Sequence, residues 1–162
     1  MIDLPQKEKE FINLIENHSR LINQICYFYS TTQNPFEDLR QEVYINIWRG
    51  IEKFRGESKI STYIYRIALN SVLMALRTSK TKIETVPIDL ELNLSMSFDD
   101  DQKEKLELMY RLINNLDDIE KAIILLWLDE TSYHEIATIV GITPENVATR
   151  IYRIKKKLSN SL

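Results

Sequence analysis

Apolar residues recur at helical spacing along most of the chain, and the places where the recurrence stops divide it. Phe11, Leu14, Ile15, His18, Leu21, Ile22, Ile25 and Tyr29 form one stripe, read as a long amphipathic helix. Asn34-Pro35 reads as a cap followed by a first-turn proline. Phe36, Leu39, Val43, Ile47, Ile51 and Phe54 make the second stripe, which Arg55-Gly56-Glu57 breaks. A third helix is expected from Ile60 or Ser61 to about Thr78, with Ile64, Ile67, Ala68, Val72 and Ala75 buried. Three long helices on short loops imply a bundle. The periodicity then lapses over residues 80–102, which hold Pro87 and Asp99-Asp100-Asp101, and resumes at about Asp101. That interval reads as a flexible acidic linker, with a long surface loop as the alternative. Beyond it, Leu106, Met109, Leu112 and Ile113 suit a helix, and Asp117-Asp118 suit the positive end of the next. No strand pattern stands out. The expected fold is all-α: two small helical domains, 1–80 and 103–162, joined by a linker over 81–102.

The last two helices carry a helix-turn-helix pattern. Ser132–Val140 is one helix, Gly141-Ile142-Thr143 the turn, and Thr143-Pro144 the start of the next. Ala137 stands four residues before Gly141, so the helices can cross closely, and Gly141 can take a left-handed backbone. Ile136, Val140, Ile142, Val147, Ile151, Ile154 and Leu158 are the expected core. Glu145, Asn146, Thr149, Arg150, Arg153 and Lys157 lie opposite. A cationic helix face beside a tight corner fits major-groove docking, the alternative being a solvated charged face.

Formal net charge is −3, yet local charge decides binding. Arg150, Arg153, Lys155, Lys156 and Lys157 crowd the C-terminal segment against Glu145 alone. A second nucleic-acid signal lies at residues 54–70, where aromatics, hydroxyls and cations gather at a helix start. Ser61, Thr62, Tyr63, Arg66 and Asn70 share a face apart from Ile64, Ala68 and Val72, and that face offers base stacking with base-edge hydrogen bonding. The alternative is a bundle helix whose aromatics are core.

Enzyme chemistry finds no support. The chain has no phosphate-binding glycine loop, no His/Cys metal cluster and no nucleophile elbow. Cys26, the sole cysteine, excludes an internal disulfide and reads as a small core residue rather than a ligand. No signal-peptide core and no apolar run of membrane-spanning length is present. The expectation is a cytoplasmic, non-enzymatic protein with no cofactor, no metal and no direct membrane insertion.

Several blocks together resemble a known family. Glu37-Asp38-Leu39-Arg40-Gln41-Glu42-Val43, Ile47-Trp48-Arg49, Phe54-Arg55-Gly56-Glu57-Ser58 and Tyr63-Ile64-Tyr65-Arg66-Ile67-Ala68-Leu69-Asn70 resemble region two of extracytoplasmic-function (ECF) sigma factors of bacterial RNA polymerase. Tyr133-His134-Glu135-Ile136-Ala137, Gly141-Ile142-Thr143 and Val147-Ala148-Thr149-Arg150-Ile151 resemble their region four. The resemblance covers nearly the whole chain in the right order. It implies that Asp38, Gln41, Glu42 and Trp48 dock on the polymerase clamp coiled coil, with a core position for Trp48 equally open. It implies that Arg55, Lys59, Ser61, Thr62, Tyr63, Arg66 and Asn70 melt and read the −10 region. Asn146, Thr149, Arg150 and Arg153, with Lys157 on backbone phosphate, would read the −35 duplex. Implied partners are core RNA polymerase, promoter DNA and an anti-sigma factor, for which a membrane-anchored protein is one form.

The chain departs from the family at Tyr63, where Trp is usual, and at Leu116-Asp117-Asp118 with Lys121, where Leu-Pro-Glu and Arg are common. It also departs at Ala148, commonly Lys, and at Ile154, commonly a small residue. Two other readings remain: a stand-alone helix-turn-helix transcriptional regulator, and a helical adaptor that binds only protein.

Overall fold

The computed structural model describes residues 4–79 and 99–161, and no strand occurs among them. The helices are α1 (Leu4–Phe28), α2 (Phe36–Gly50), α3 (Ile60–Ser79), α4 (Asp100–Asn114), α5 (Asp118–Leu128), α6 (Tyr133–Val140) and α7 (Pro144–Asn160), with a 3-10 turn at Ile51–Lys53. α1, α2 and α3 form the first bundle. α5, α6 and α7 form a second, smaller cluster, with α4 laid against α5.

Local chemistry sets the boundaries. Pro35, not Asn34, is the residue before α2, and no side chain caps that end. The amide nitrogen of Asn34 instead donates to Ser79 Oγ at 2.8 Å, tying the α1–α2 turn to the end of α3. Glu37 and Asp38 in the first turn of α2 compensate the helix dipole. Gly50 lies where α2 meets α3: a Cβ there would stand 2.9 Å from Ile67 Cδ1, so that the end of the Ile67 side chain would have to move aside. In the second cluster three side chains cap three helices: Asp117 accepts from the Glu120 amide, Ser132 from Glu135 and Thr143 from Asn146. Gly141 ends α6 at φ 86°, and its amide donates to the Ala137 carbonyl at 2.8 Å.

Most of the interval expected to be a linker lies outside the described residues. Its last residues, 99–102, are helical structure: Asp99 and Gln102 form a reciprocal capping box at the start of α4. The Asp99-Asp100-Asp101 run is therefore a helix start, where carboxylates meet the positive end of the dipole.

The two clusters are docked on each other. The apolar core runs without a break from Ile22, Val43 and Ala68 through Tyr110 to Ile123, Ile136 and Ile151. α6 lies against α3, and α5 against α1. Ile139, outside the expected helix-turn-helix core, is buried as well, as is Leu69 on α3.

Candidate nucleic-acid interface

Three surfaces carry the residues singled out by the sequence. The first is on α2. Asp38, Gln41 and Glu42 are all exposed on one helical face. Ile45, three residues past Glu42, extends that face and is 44% exposed. An isoleucine standing in water beside two carboxylates suits an interface, and its spacing from Asp38 and Glu42 is the signal that could have found it. Trp48 is engaged elsewhere. Its ring meets Phe11 edge-on at 5.3 Å and lies under the Lys7 ammonium at 4.2 Å, so it anchors the first half of α1.

The second surface begins in the loop before α3. Arg55 and Lys59 are exposed, and Gly56 adopts φ 75° in the loop between them. Tyr63 is half-buried. Its hydroxyl donates to the Gly50 carbonyl at 2.8 Å and its ring lies against Phe54, with centroids 5.0 Å apart. That pair of contacts leaves one part of the ring open and holds the rest in place. Arg66 and Asn70 are exposed one helical turn apart, and Ser61 is half-buried. Thr62 departs from expectation. It lies on the α3 face that carries Tyr65 and Leu69, and it is buried. α3 is covered on two sides, by the bundle and by α6, so the division into a core face and a free face is narrower than the sequence pattern implies. The free stripe runs on through Met74 and Arg77, which spacing of four residues from Asn70 and then three from Met74 would have identified.

The third surface is α7. Asn146, Thr149 and Arg153 are exposed, and Arg150 is half-buried with its Nε donating to Asn146 Oδ1 at 3.3 Å. That bond holds the guanidinium near the start of the helix. Lys157 is exposed, but its ammonium reaches Glu120 Oε1 at 2.6 Å, so it pins α7 to α5 as well as facing solvent. Tyr152, 60% exposed between Thr149 and Arg153, was not singled out although spacing places it on the same face. Its ring lies beneath the Lys156 ammonium at 4.9 Å. Lys155 is drawn the other way, over Trp127 at 4.2 Å. Ile154, the large residue at a commonly small position, is fully buried.

Among the described residues no group of His, Cys, Asp and Glu could hold a metal, and no helix is long and apolar enough to cross a membrane. Cys26 is buried, and desolvation pushes its thiol up to about 12, the behaviour of an unreactive core residue.

Two helical units, one with an aromatic and cationic loop and the other with a capped, cation-faced helix-turn-helix, define the class. The Sigma-70 region 2 family matches residues 14–81 and the Sigma-70 region 4 family matches residues 106–158. The chain belongs to the ECF sigma factors of bacterial RNA polymerase: it is 30% identical to the ECF sigma-E factor of Haemophilus influenzae, over 97% of this chain and 90% of that one. It is 27% identical to the ECF sigma factor SigW of Bacillus subtilis, over 94% of this chain and 88% of the relative. Two experimental structures share the fold. The sigma factor RpoE of Bartonella quintana, solved with the anti-sigma factor NepR, superposes with a TM-score of 0.75 at 21% identity, covering 94% of this chain and 96% of that one. CnrH, solved with the cytosolic domain of CnrY, gives 0.68 at 19%, covering 94% and 87%. The protein is thus an RNA polymerase-binding promoter-specificity factor, acting in transcription initiation.

Proposed function

We propose that the exposed α2 face of Asp38, Gln41, Glu42 and Ile45 docks on core polymerase, with Trp48 bracing it from behind. The stripe of Arg55, Lys59, Ser61, Tyr63, Arg66 and Asn70 opens the −10 region and holds the unpaired strand. Tyr63 presents a fixed ring for a base to stack on, a contact of about 1–3 kcal/mol. Asn146, Thr149 and Arg150 read base edges at −35 from the N-terminal turns of α7, while Arg153 and Lys157 lie nearer the backbone phosphates. The chain does this as a binding subunit without catalysis or cofactor, in the cytoplasm beside its polymerase. An anti-sigma factor controls it, as one is bound to the structurally similar RpoE.

One observation supports this reading above the others. A stacking-competent strand element and a major-groove helix occur on separate helical units of one chain, beside an exposed acidic and apolar patch. A stand-alone duplex regulator has no use for the first. Run-off transcription with core polymerase plus this chain tests it, with permanganate footprinting at −10. Polymerase-dependent transcripts and reactive thymines are expected. Tyr63→Ala and Asn70→Ala should reduce thymine reactivity more than −35 binding. Duplex binding with no transcript at any polymerase concentration would favour the stand-alone regulator instead.

A further inference from the structure

Side-chain hydrogen bonds tie α3 to α1, to α2 and to the turn between them. The Tyr63 hydroxyl donates to the Gly50 carbonyl of α2 at 2.8 Å. Ser71 Oγ accepts from Asn46 Nδ2 of α2 at 2.9 Å and donates to the Ile67 carbonyl, one turn back in its own helix, at 2.6 Å. The Tyr65 hydroxyl shares a hydrogen bond with His18 Nδ1 of α1 at 3.2 Å. Ser79 Oγ, at the last residue of α3, takes the Asn34 bond from the α1–α2 turn.

The bonds to α2 are in register with each other. Tyr63, Ile67 and Ser71 stand four residues apart and form one ridge of α3, while Asn46 and Gly50 stand four apart on α2. Between the two bonds Ile67 meets the notch at Gly50, where a Cβ would stand 2.9 Å from Ile67 Cδ1 and 3.3 Å from the Tyr63 hydroxyl. The core around them, with Val43, Ile47, Ile64, Ala68 and Val72, is apolar. Apolar burial is non-directional, so it holds α3 in place without fixing how the helix is turned about its own axis. Hydrogen bonds fix both distance and direction.

That turn matters for the exposed side of α3. Arg66 and Asn70 each precede a ridge residue by one position, so they lie about 100° around the helix from Ile67 and Ser71, and both are exposed. Rotating α3 by about 10° would move a side-chain tip 5–6 Å from the axis by about 1 Å. That exceeds the roughly 0.5 Å spread of an N–H···O bond, so a base-edge contact would be lost. The Ser71 hydroxyl is already satisfied by the Ile67 carbonyl, so losing Asn46 leaves no orphaned donor on Ser71.

We propose that Asn46 and Ser71 are positioning residues for −10 strand reading. Their bond, with the Tyr63–Gly50 bond two turns earlier, sets the rotation of α3 and so aims Asn70 and Arg66 at the bases beside the Tyr63 ring. This rests on the −10 reading given above. A bias in orientation cannot exceed the bond that supplies it, so loss of the Asn46–Ser71 bond should lower base selectivity roughly two- to tenfold.

Strand binding by the holoenzyme of core polymerase and the full chain tests the pair. The probe is a −10 single strand selected by the wild-type holoenzyme from a randomised pool, together with its single-base variants. Asn46→Leu keeps a branched side chain without the donor, Ser71→Ala removes the acceptor, and the double variant removes both. Each should lower the ratio of affinities for the selected and the mismatched strand, at the base where Asn70→Ala also loses selectivity. Helicity, affinity for core polymerase and −35 duplex binding should stay as in the wild type. The double variant should lose no more than either single change, because the same bond is absent from all three. Tyr63→Phe keeps the ring, gives up the Gly50 bond and should lower the same ratio. An unchanged ratio in Asn46→Leu and Ser71→Ala would overturn the proposal, as would losses that add in the double variant. So would a fall in affinity equal for selected and mismatched strands, the result of a purely structural role. A wild-type holoenzyme with no strand preference would overturn the −10 reading itself, and the proposal with it.

Discussion

At the scale of single residues, charge and burial decide roles that composition leaves open. Cys26 is the clearest case: a lone cysteine could be a ligand or a nucleophile, and the structure buries it in α1 with its thiol raised to about 12 from 9.0. The protonated form is favoured in the folded state, so the stabilisation is fully present below pH 9 and is lost as pH rises towards 12. Tyr65, raised to about 12 from 10.0, acts in the same direction. Urea midpoints should therefore fall with rising pH above 9, and Cys26→Ala should flatten that fall relative to the native chain. A thiol reagent at neutral pH should label Cys26 only at the rate of unfolding. The two cations of α7 separate on the same kind of evidence. Arg150 is held by Asn146 near the start of the helix, so Arg150→Ala should cost about 1–3 kcal/mol and relax base preference at one or two positions. Lys157 already has Glu120 as partner, so Lys157→Ala should weaken all −35 sequences alike and lower the salt slope by one unit at most. Its effect on folding should be small, because exposed ion pairs contribute about 0–1 kcal/mol. Salt-dependent binding of the holoenzyme to matched and mismatched −35 duplexes measures both. Identical behaviour of the two variants would remove the distinction between base reader and phosphate contact.

At the scale of elements, most of the helices were legible because each buries one stripe and stops at a recognisable residue. Gly141, Thr143 and Pro144 placed the α6–α7 turn, and Gly56 the break before α3. The failures have physical causes. Asn34 looked like a cap but spends its amide on Ser79, a contact 45 residues distant that no local pattern reveals. Asp99-Asp100-Asp101 looked like a solvated run because a capping box and an acidic linker share a composition until the reciprocal bonds are seen. Thr62 looked free because a helical wheel assumes one covered side, and α3 has two. Trp48, open between core and interface, is drawn to α1 by Phe11 and Lys7. The α2 surface that remains gives a prediction about an element: Asp38, Glu42 and Ile45 should act as one patch. Ile45→Ala removes exposed apolar area without touching the core, so helicity and melting temperature should stay within experimental scatter while affinity for core polymerase falls. Combined with Asp38→Ala, the loss should exceed that of either single change in a titration against labelled core. Unaltered affinity in the double variant would exclude this face as the docking site.

At the scale of the whole molecule, the sequence showed two helical units in their order but not that they dock. Leu69 on α3 and Ile139 on α6 are both buried, although neither is among the core positions the pattern of each helix singles out. Docking makes chain length between the units a functional quantity. Between Ser79 and Asp99 lie 20 peptide steps, which reach about 66–72 Å when extended. The promoter elements are roughly 85 Å apart, and units of this size, each about 28 Å across, bridge part of that span themselves. Even if each contributed its full width, some 30 Å would fall to the connecting segment. Removing residues 82–95 leaves six steps, or about 20 Å, which is too short. The shortened chain should keep its helicity and its affinity for single-stranded −10 DNA in the holoenzyme, yet lose transcription from promoters that require both elements. Replacing the same 14 residues with a Gly/Ser segment of equal length should retain transcription, because reach rather than side chains is then preserved. Run-off assays on one two-element promoter compare the three chains directly. Full activity of the shortened chain would mean that the two units read the promoter without separating, and failure of the Gly/Ser chain would mean that the segment contributes contacts of its own.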